Sequence, residues 1–238
     1  NLKKGDEVIM PSYGFVSVAN SVVLRNAKPV FAEIDPKTLN ISYDDIKKKI
    51  TRKTKAIYVI HYAGHSCEIE KIAKLAKKKR IYLIEDAAHS FLAKYKNKFL
   101  GTIGDIGVFS FHETKNLVGG QAGCLSINNS SLIERTNTIL DKGTDRKKFI
   151  RNFKKKIISS QKKGFYSWVD IGSEYRASEL TSALLYSQIK KVKKIQKRRE
   201  IIWKKYINNI NKFKTDDFYL IKPIKNCSSA YHLFVMIF

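Results

Sequence analysis

Residues 56–86 read AIYVIHYAGHSCEIEKIAKLAKKKRIYLIED, and the order of patterns inside this stretch decides the fold. The run Ala56–His61 is short, apolar and rich in β-branched and aromatic residues, which suits a buried strand. From Glu68 to Lys79, Ile69, Ile72, Ala73 and Ala76 share one face at helical spacing, with lysines on the other. A second apolar run, Ile81–Asp86, follows at once. Strand, helix and strand within about 30 residues form the unit that joins parallel neighbours in a sheet.

The same alternation extends in both directions. Glu7–Met10 reads as a strand, Phe15–Arg25 as a helix, Pro29–Ile34 as a strand and Tyr43–Ile50 as a short helix. After Asp86 the rhythm changes: Ala93–Leu100 predicts a hairpin around Lys96–Asn97, and Ile106–Phe111 and Gly123–Asn128 predict two more strands. A helix is expected over Leu132–Lys142, then a basic, poorly patterned stretch from Gly143 to Lys163. One long helix is expected over Ala177–Asn211, anchored by Leu180, Leu184, Ile189, Val192 and Ile195, with room for a kink near Lys190. The fold class is therefore α/β, a mixed, mainly parallel sheet covered by helices on both faces. Residues 1–211 are expected to form one large domain and residues 212–238 the beginning of a smaller one. The chain opens at Asn1 and closes in the apolar run YHLFVMIF, so a fragment lacking both ends is expected.

The bulk numbers exclude several classes. Hydrophobic content of 43% is that of a globular protein. No apolar run reaches the roughly 20 residues that span a bilayer, and no signal peptide is expected. The three cysteines, Cys67, Cys124 and Cys227, are far apart and odd in number, which argues against a disulfide framework and fits a reducing cytoplasm. No Cys/His spacing suggests zinc. A net charge of +25 raises nucleic acid or anionic lipid as partners, but the lysines are dispersed over helix faces and loops, as solvated surface charge is. Neither a specific nucleic-acid partner nor a membrane is expected.

In open α/β sheets, ligands gather beyond the carboxyl ends of the strands. That rule selects Pro11–Phe15, His61–Gly64, Glu85–His89 and Ser110–Lys115, which together offer an aromatic ring, an acid, histidines, hydroxyls and a lysine. Asp86 ends an apolar strand and needs a partner. Two readings stand: the N-cap of a following helix, or the counter-ion of a protonated heterocycle nitrogen. Lys115 lies in FSFHETKN, near the hydroxyls of Ser110 and Thr114 and ahead of Gly119-Gly120. It is either one more of 46 basic residues or a buried amine able to lose its proton and attack an aldehyde.

Four segments, GDEVIMPSYGFVSVANSVVLRNAKPVFAEID (5–35), HYAGHSCEIEKIAKLAKKK (61–79), IEDAAHS (84–90) and GTIGDIGVFSFHETKNLVGG (101–120), together resemble the DegT/DnrJ/EryC1/StrS family. These are nucleotide-sugar aminotransferases that depend on pyridoxal 5'-phosphate. The resemblance runs from Gly5 to about Asn211 and more faintly to Phe238. It implies the aspartate aminotransferase-like (type I) fold and transamination of a dTDP-4-keto-6-deoxy sugar with glutamate, which leaves as 2-oxoglutarate. It also implies a cytoplasmic homodimer with active sites at the subunit interface, serving surface polysaccharide synthesis.

Matched by position, Lys115 is the lysine that carries the cofactor as a Schiff base, and Asp86 is the partner of its ring nitrogen. His89 stands beside the ring hydroxyl, and Ser110 is the serine that binds the phosphate. Phe15 lies in the segment that stacks on one ring face, and Ala88 packs on the other. Ser173 matches a position that reaches the cofactor phosphate of the partner subunit. His112 and Asn116 are supports of the same motif. Family dehydratases carry His in place of the lysine, so Lys115 counts against that chemistry. The departures are Gly14 for a usual Thr and Gln121-Ala122 for a usual Glu-Gly, and the N-terminal phosphate-gripping turn and most of the C-terminal domain are expected to be missing. They make weak or no activity the expectation for the isolated chain. The alternative is a truncated, inactive member that acts at most as a cationic binding protein.

Overall fold

The computed structural model describes residues 2–154, 165–213 and 216–238. Its first strands and helices alternate as the apolar pattern dictates: β1 (Glu7–Pro11), α1 (Ser17–Val23), β2 (Lys28–Ala32), α2 (Tyr43–Lys49), β3 (Thr54–Ile60), α3 (Ile69–Lys79) and β4 (Tyr82–Asp86). Helix α2 starts at Ser42, whose hydroxyl accepts from the Asp45 N–H. Helix α3 stops without glycine: Arg80 turns left-handed, and its N–H and that of Ile81 close on Lys77 and Ala76 carbonyls. The expected hairpin is present as β5 (Lys94–Tyr95) and β6 (Lys98–Phe99), followed by β7 (Ile106–Ser110) and β8 (Gly123–Ile127).

Six of these strands form one sheet in the order β2-β1-β3-β4-β7-β8, parallel except for the β7–β8 pair. Alternation along each strand divides its side chains between two cores. Ile9, Ile57, Val59 and Leu83 pack with Ile46, Ile69, Ile72 and Leu75 of α2 and α3. Val8, Met10 and Ala56, with Tyr58 and Ile84 beside them, pack with Val18, Ala19 and Val22 of α1. The sheet is thus covered on both faces, as a mainly parallel sheet must be. The aspartate aminotransferase-like fold expected from the sequence is the fold observed.

Past β8 the chain forms α4 (Ile133–Leu140), α5 (Arg146–Lys154), α6 (Glu179–Lys190) and α7 (Val192–Ile210), then the short strands β9 (Tyr219–Leu220), β10 (Cys227–Ser228) and β11 (Met236–Ile237). The continuous helix expected over 177–211 is two helices. Lys191 leaves the helical conformation and its N–H bonds the carbonyl of Gln188 instead, a break next to the kink position foreseen at Lys190. Part of the basic stretch expected over 143–163 lies outside the described residues.

Two compact units result, residues 1–128 with 181–238, and residues 129–180. In the second, Gly143 and Gly172 let two backbone segments touch: a Cβ on Gly143, at φ +75°, would lie 1.8 Å from the Asp170 carbonyl oxygen. Among the described residues no helix is long and apolar enough to cross a membrane, and no group of three or more His, Cys, Asp or Glu could hold a metal ion.

Candidate active site

Strands β1, β3, β4 and β7 stand side by side and parallel, so their carboxyl ends share one edge of the sheet. The strand order reverses between β1 and β3, since β2 lies on the far side of β1. Such a switch point opens a crevice. Tyr13 and Tyr62, each just past its strand, meet there with hydroxyls 2.9 Å apart and ring centres 5.1 Å apart. Burial, and then the bond to Tyr13, push the Tyr62 phenol above its usual range.

The next strand end carries Asp86. Its Oδ1 accepts from the Ala88 N–H at 2.9 Å and its Oδ2 from the Tyr58 hydroxyl at 2.8 Å. Local capping is therefore part of its work, but residues 87–90 turn rather than open a helix, and the N-cap reading fails. His89 lies edge-on to Tyr62 at 5.7 Å and nearly stacked on His232 at 4.3 Å. Its Nδ1 is buried without a hydrogen-bond partner. Burial first, then the positive charge of Lys115, hold the ring at a pKa of about 4, against the pull of Asp86. His232 is held at about 3, chiefly by burial, then by His89, Lys115 and Arg199.

Lys115 follows β7 in a turn closed by its own N–H on the His112 carbonyl at 2.9 Å. The His112 Nδ1 accepts from the Thr114 N–H at 3.3 Å and so fixes this turn, while the Ser110 hydroxyl accepts from the His112 N–H at 3.3 Å. The Lys115 amine is half-buried. Desolvation lowers its pKa below the usual lysine range, and the charge of Asp86 opposes this. Asn116 points the other way: its Nδ2 donates to the Ala230 carbonyl at 2.6 Å, so its Oδ1 accepts from His232 Nδ1 at 2.6 Å.

Asp86, Ala88, His89, Ser110 and Lys115 thus stand at the ends of the neighbouring strands β4 and β7. Phe15 follows β1 with 75% of its surface exposed. Ser173 belongs to the second unit, where its N–H donates to the Ile139 carbonyl at 3.2 Å. At Gly14 a Cβ would come within 2.5 Å of Ile60 Cδ1, so the Ile60 side chain fills the space of the missing substituent.

One strand-end histidine goes elsewhere. His61 is fully buried and its Nε2 lies 2.9 Å from Glu85 Oε2 on the α3 side of the sheet. The Cys67 N–H donates to His61 Nδ1 at 3.4 Å, which leaves Nε2 as the donor to Glu85. Reasoning from sequence missed Tyr58 and His232, and it did not show that Glu85, inside a selected strand end, faces His61 instead of the site. Tyr58 carried a signal, a hydroxyl on the strand face shared with Asp86. His232 carried none, because only the fold brings it beside His89.

A sheet edge that carries an acid, an imidazole with one unpartnered nitrogen and a partly desolvated lysine at neighbouring strand ends offers the groups that an aldehyde-bearing heterocyclic cofactor needs. The chain belongs to the DegT/DnrJ/EryC1/StrS aminotransferase family, whose model matches residues 1–238. It is 32% identical over 240 residues to a GDP-perosamine synthase of Escherichia coli O157:H7, covering 99% of this chain and 58% of that protein. It is 34% identical over 202 residues to dTDP-4-dehydro-2,3,6-trideoxy-D-glucose 4-aminotransferase of Saccharopolyspora spinosa, covering 84% and 51%. Among solved structures, Helicobacter pylori PseC, an aminotransferase involved in the biosynthesis of pseudoaminic acid, superposes with a TM-score of 0.84 at 29% identity, over 98% of this chain and 58% of that one. The chain spans little more than half the length of these relatives.

The cofactor of the family is pyridoxal 5'-phosphate. The residues present fit it: His89 has a buried nitrogen without a partner, and Asp86 presents a carboxylate fixed at both oxygens.

Proposed function

We propose that this chain carries the cofactor site of an aminotransferase that moves the amino group of glutamate to a dTDP-4-keto-6-deoxyhexose. The products would be 2-oxoglutarate and a 4-amino-4,6-dideoxy sugar nucleotide for surface polysaccharide. The observation that carries this reading is the Lys115 amine, made easier to deprotonate by burial, at a strand end beside that of Asp86. The relatives act on GDP- and dTDP-linked sugars by name, and the choice of dTDP rests on the sequence resemblance.

When bound, pyridoxal phosphate supplies an electron sink and an aldehyde that takes up the amino group. The residues divide the remaining work. Asp86 would hold the proton on the ring nitrogen. His89 would meet the ring hydroxyl, Ser110 would bind the phosphate, and Phe15 and Ala88 would enclose the ring. Lys115 would anchor the cofactor through its amine, and the same amine would serve as the acid–base that takes a proton from the substrate carbon and returns it. Ser173 would reach the phosphate bound by a partner subunit, and the working form would then be a homodimer. Phe165, Trp168, Ile171 and Tyr175, all exposed around Ser173, support that assignment. Residues 212–238 would be the beginning of a smaller domain.

Adding pyridoxal phosphate should give an absorbance band near roughly 410–430 nm that Lys115→Ala abolishes. An unchanged spectrum would leave the cationic-binding alternative, which salt-sensitive binding of polyanions would then support.

A further inference from the structure

We infer that Tyr58 is a positioning residue for Asp86, fixing the carboxylate that faces the cofactor's ring nitrogen. This rests on the reading of Asp86 given above. Tyr58 lies on β3 and Asp86 on β4, and the register pairs Tyr58 with Ile84 and Ile60 with Asp86. Tyr58 and Asp86 are therefore diagonal neighbours on one sheet face, a separation that a long side chain can span. The ring of Tyr58 packs against the Val8–Met10–Val22 core, work that a phenylalanine would do equally well. The hydroxyl has a different task. It donates to Asp86 Oδ2 at 2.8 Å while the Ala88 N–H holds Oδ1 at 2.9 Å.

Two donors on two oxygens fix the plane of the carboxylate as well as its place. Without the phenol the carboxylate could rotate about its last bond, held at one oxygen only. The phenol is a dependable donor, because burial, then the neighbouring Asp86 charge, raise its pKa far above the working range. A hydrogen bond to a charged acceptor is shorter and stronger than one between neutral groups, and here it sets the angle at which Asp86 meets a ring N–H.

The experiment uses two probes that cannot react with Lys115. One is 4-deoxypyridoxine 5'-phosphate, and the other is its 1-deaza analogue, which lacks the ring nitrogen. Both are titrated into the wild-type chain and Tyr58→Phe by tryptophan fluorescence. Tyr58→Phe should weaken the pyridine probe by about tenfold, the equivalent of about 1.4 kcal/mol, and leave the deaza probe within about twofold. Equal loss with both probes would make Tyr58 a packing residue and overturn the inference. So would unchanged binding of the pyridine probe. If wild type fails to bind the pyridine probe, the cofactor reading itself falls, and this inference with it.

Discussion

His65 is the residue whose ionisation bears most directly on stability. It is 2% exposed, and neither ring nitrogen has a hydrogen-bond partner. Its nearest ring neighbour is Trp203, edge-on with centres 6.4 Å apart. Burial lowers its pKa to about 4. An unfolded histidine titrates near about 6.5, so between the two values the unfolded chain binds the proton and the folded chain does not. The stability contributed by the neutral ring is complete above about pH 6.5 and is lost progressively down to about pH 4, to a total of about 3 kcal/mol. Urea unfolding between pH 7.5 and 4.5 should follow that slope, and His65→Gln should flatten it. His89 and His232, also held low by burial, add to the loss. A His65→Gln profile parallel to wild type would assign the acid sensitivity to those two rings.

At the scale of elements, the loop between β6 and β7 hangs on one carboxylate. Glu85 Oε1 accepts from the N–H groups of Ile103 and Gly104 at 2.6 Å each, and Oε2 from Gly101 at 2.9 Å and from His61. Burial alone would raise the Glu85 pKa, but His61 and the backbone donors outweigh it and hold the group below its usual range. Glu85→Gln replaces an oxygen by a donor that faces other donors. It should cost about 2–4 kcal/mol in urea unfolding, while Asp105→Asn, at a more exposed carboxylate, should cost less. Gly107→Ala tests the same junction from the other strand, since its Cβ would lie 1.9 Å from the Gly101 carbonyl oxygen. Backbone cannot yield there, so a loss above about 3 kcal/mol or failure to fold is expected. The strands, helices and hairpin of the first 128 residues were legible because each carries its own period and its own stop. The strand-end rule selected Asp86 and Lys115 for the same reason, as it needs only the strand boundaries. It also selected His61, wrongly, because one residue of register decides whether a side chain faces the crevice or the α3 core. The break at Lys191 falls beside the kink foreseen near Lys190, though no proline or glycine marks the residue. The clasp of Asn116 on Ala230 and His232 joins segments more than a hundred residues apart, beyond the reach of any local pattern.

For the whole molecule, charge is the property to explain. The chain has 46 basic and 21 acidic residues, which leaves a net charge of +25. The acids present are shared: Glu70 meets Lys74 and Lys96, and Glu200 meets Lys197 and Lys204. These pairs are exposed, and exposed pairs contribute little individually. Self-repulsion of the unmatched cations therefore dominates and opposes the folded state. Raising salt from about 0.01 M to about 0.15 M shortens the screening length from about 30 Å to about 8 Å, which weakens this repulsion. The urea midpoint should rise over that range, by about 1–2 kcal/mol in stability, a few exposed-pair energies. A fall would mean that the surface pairs outweigh the repulsion. The same salt series separates surface charge from site chemistry. Polyanion binding, if present, should weaken steeply with salt, and heparin should not displace pyridoxal phosphate, since the cofactor is to be held by Lys115 and the strand ends. Displacement of the 410–430 nm band at roughly stoichiometric heparin would move the cationic patch into the crevice and join the two functions.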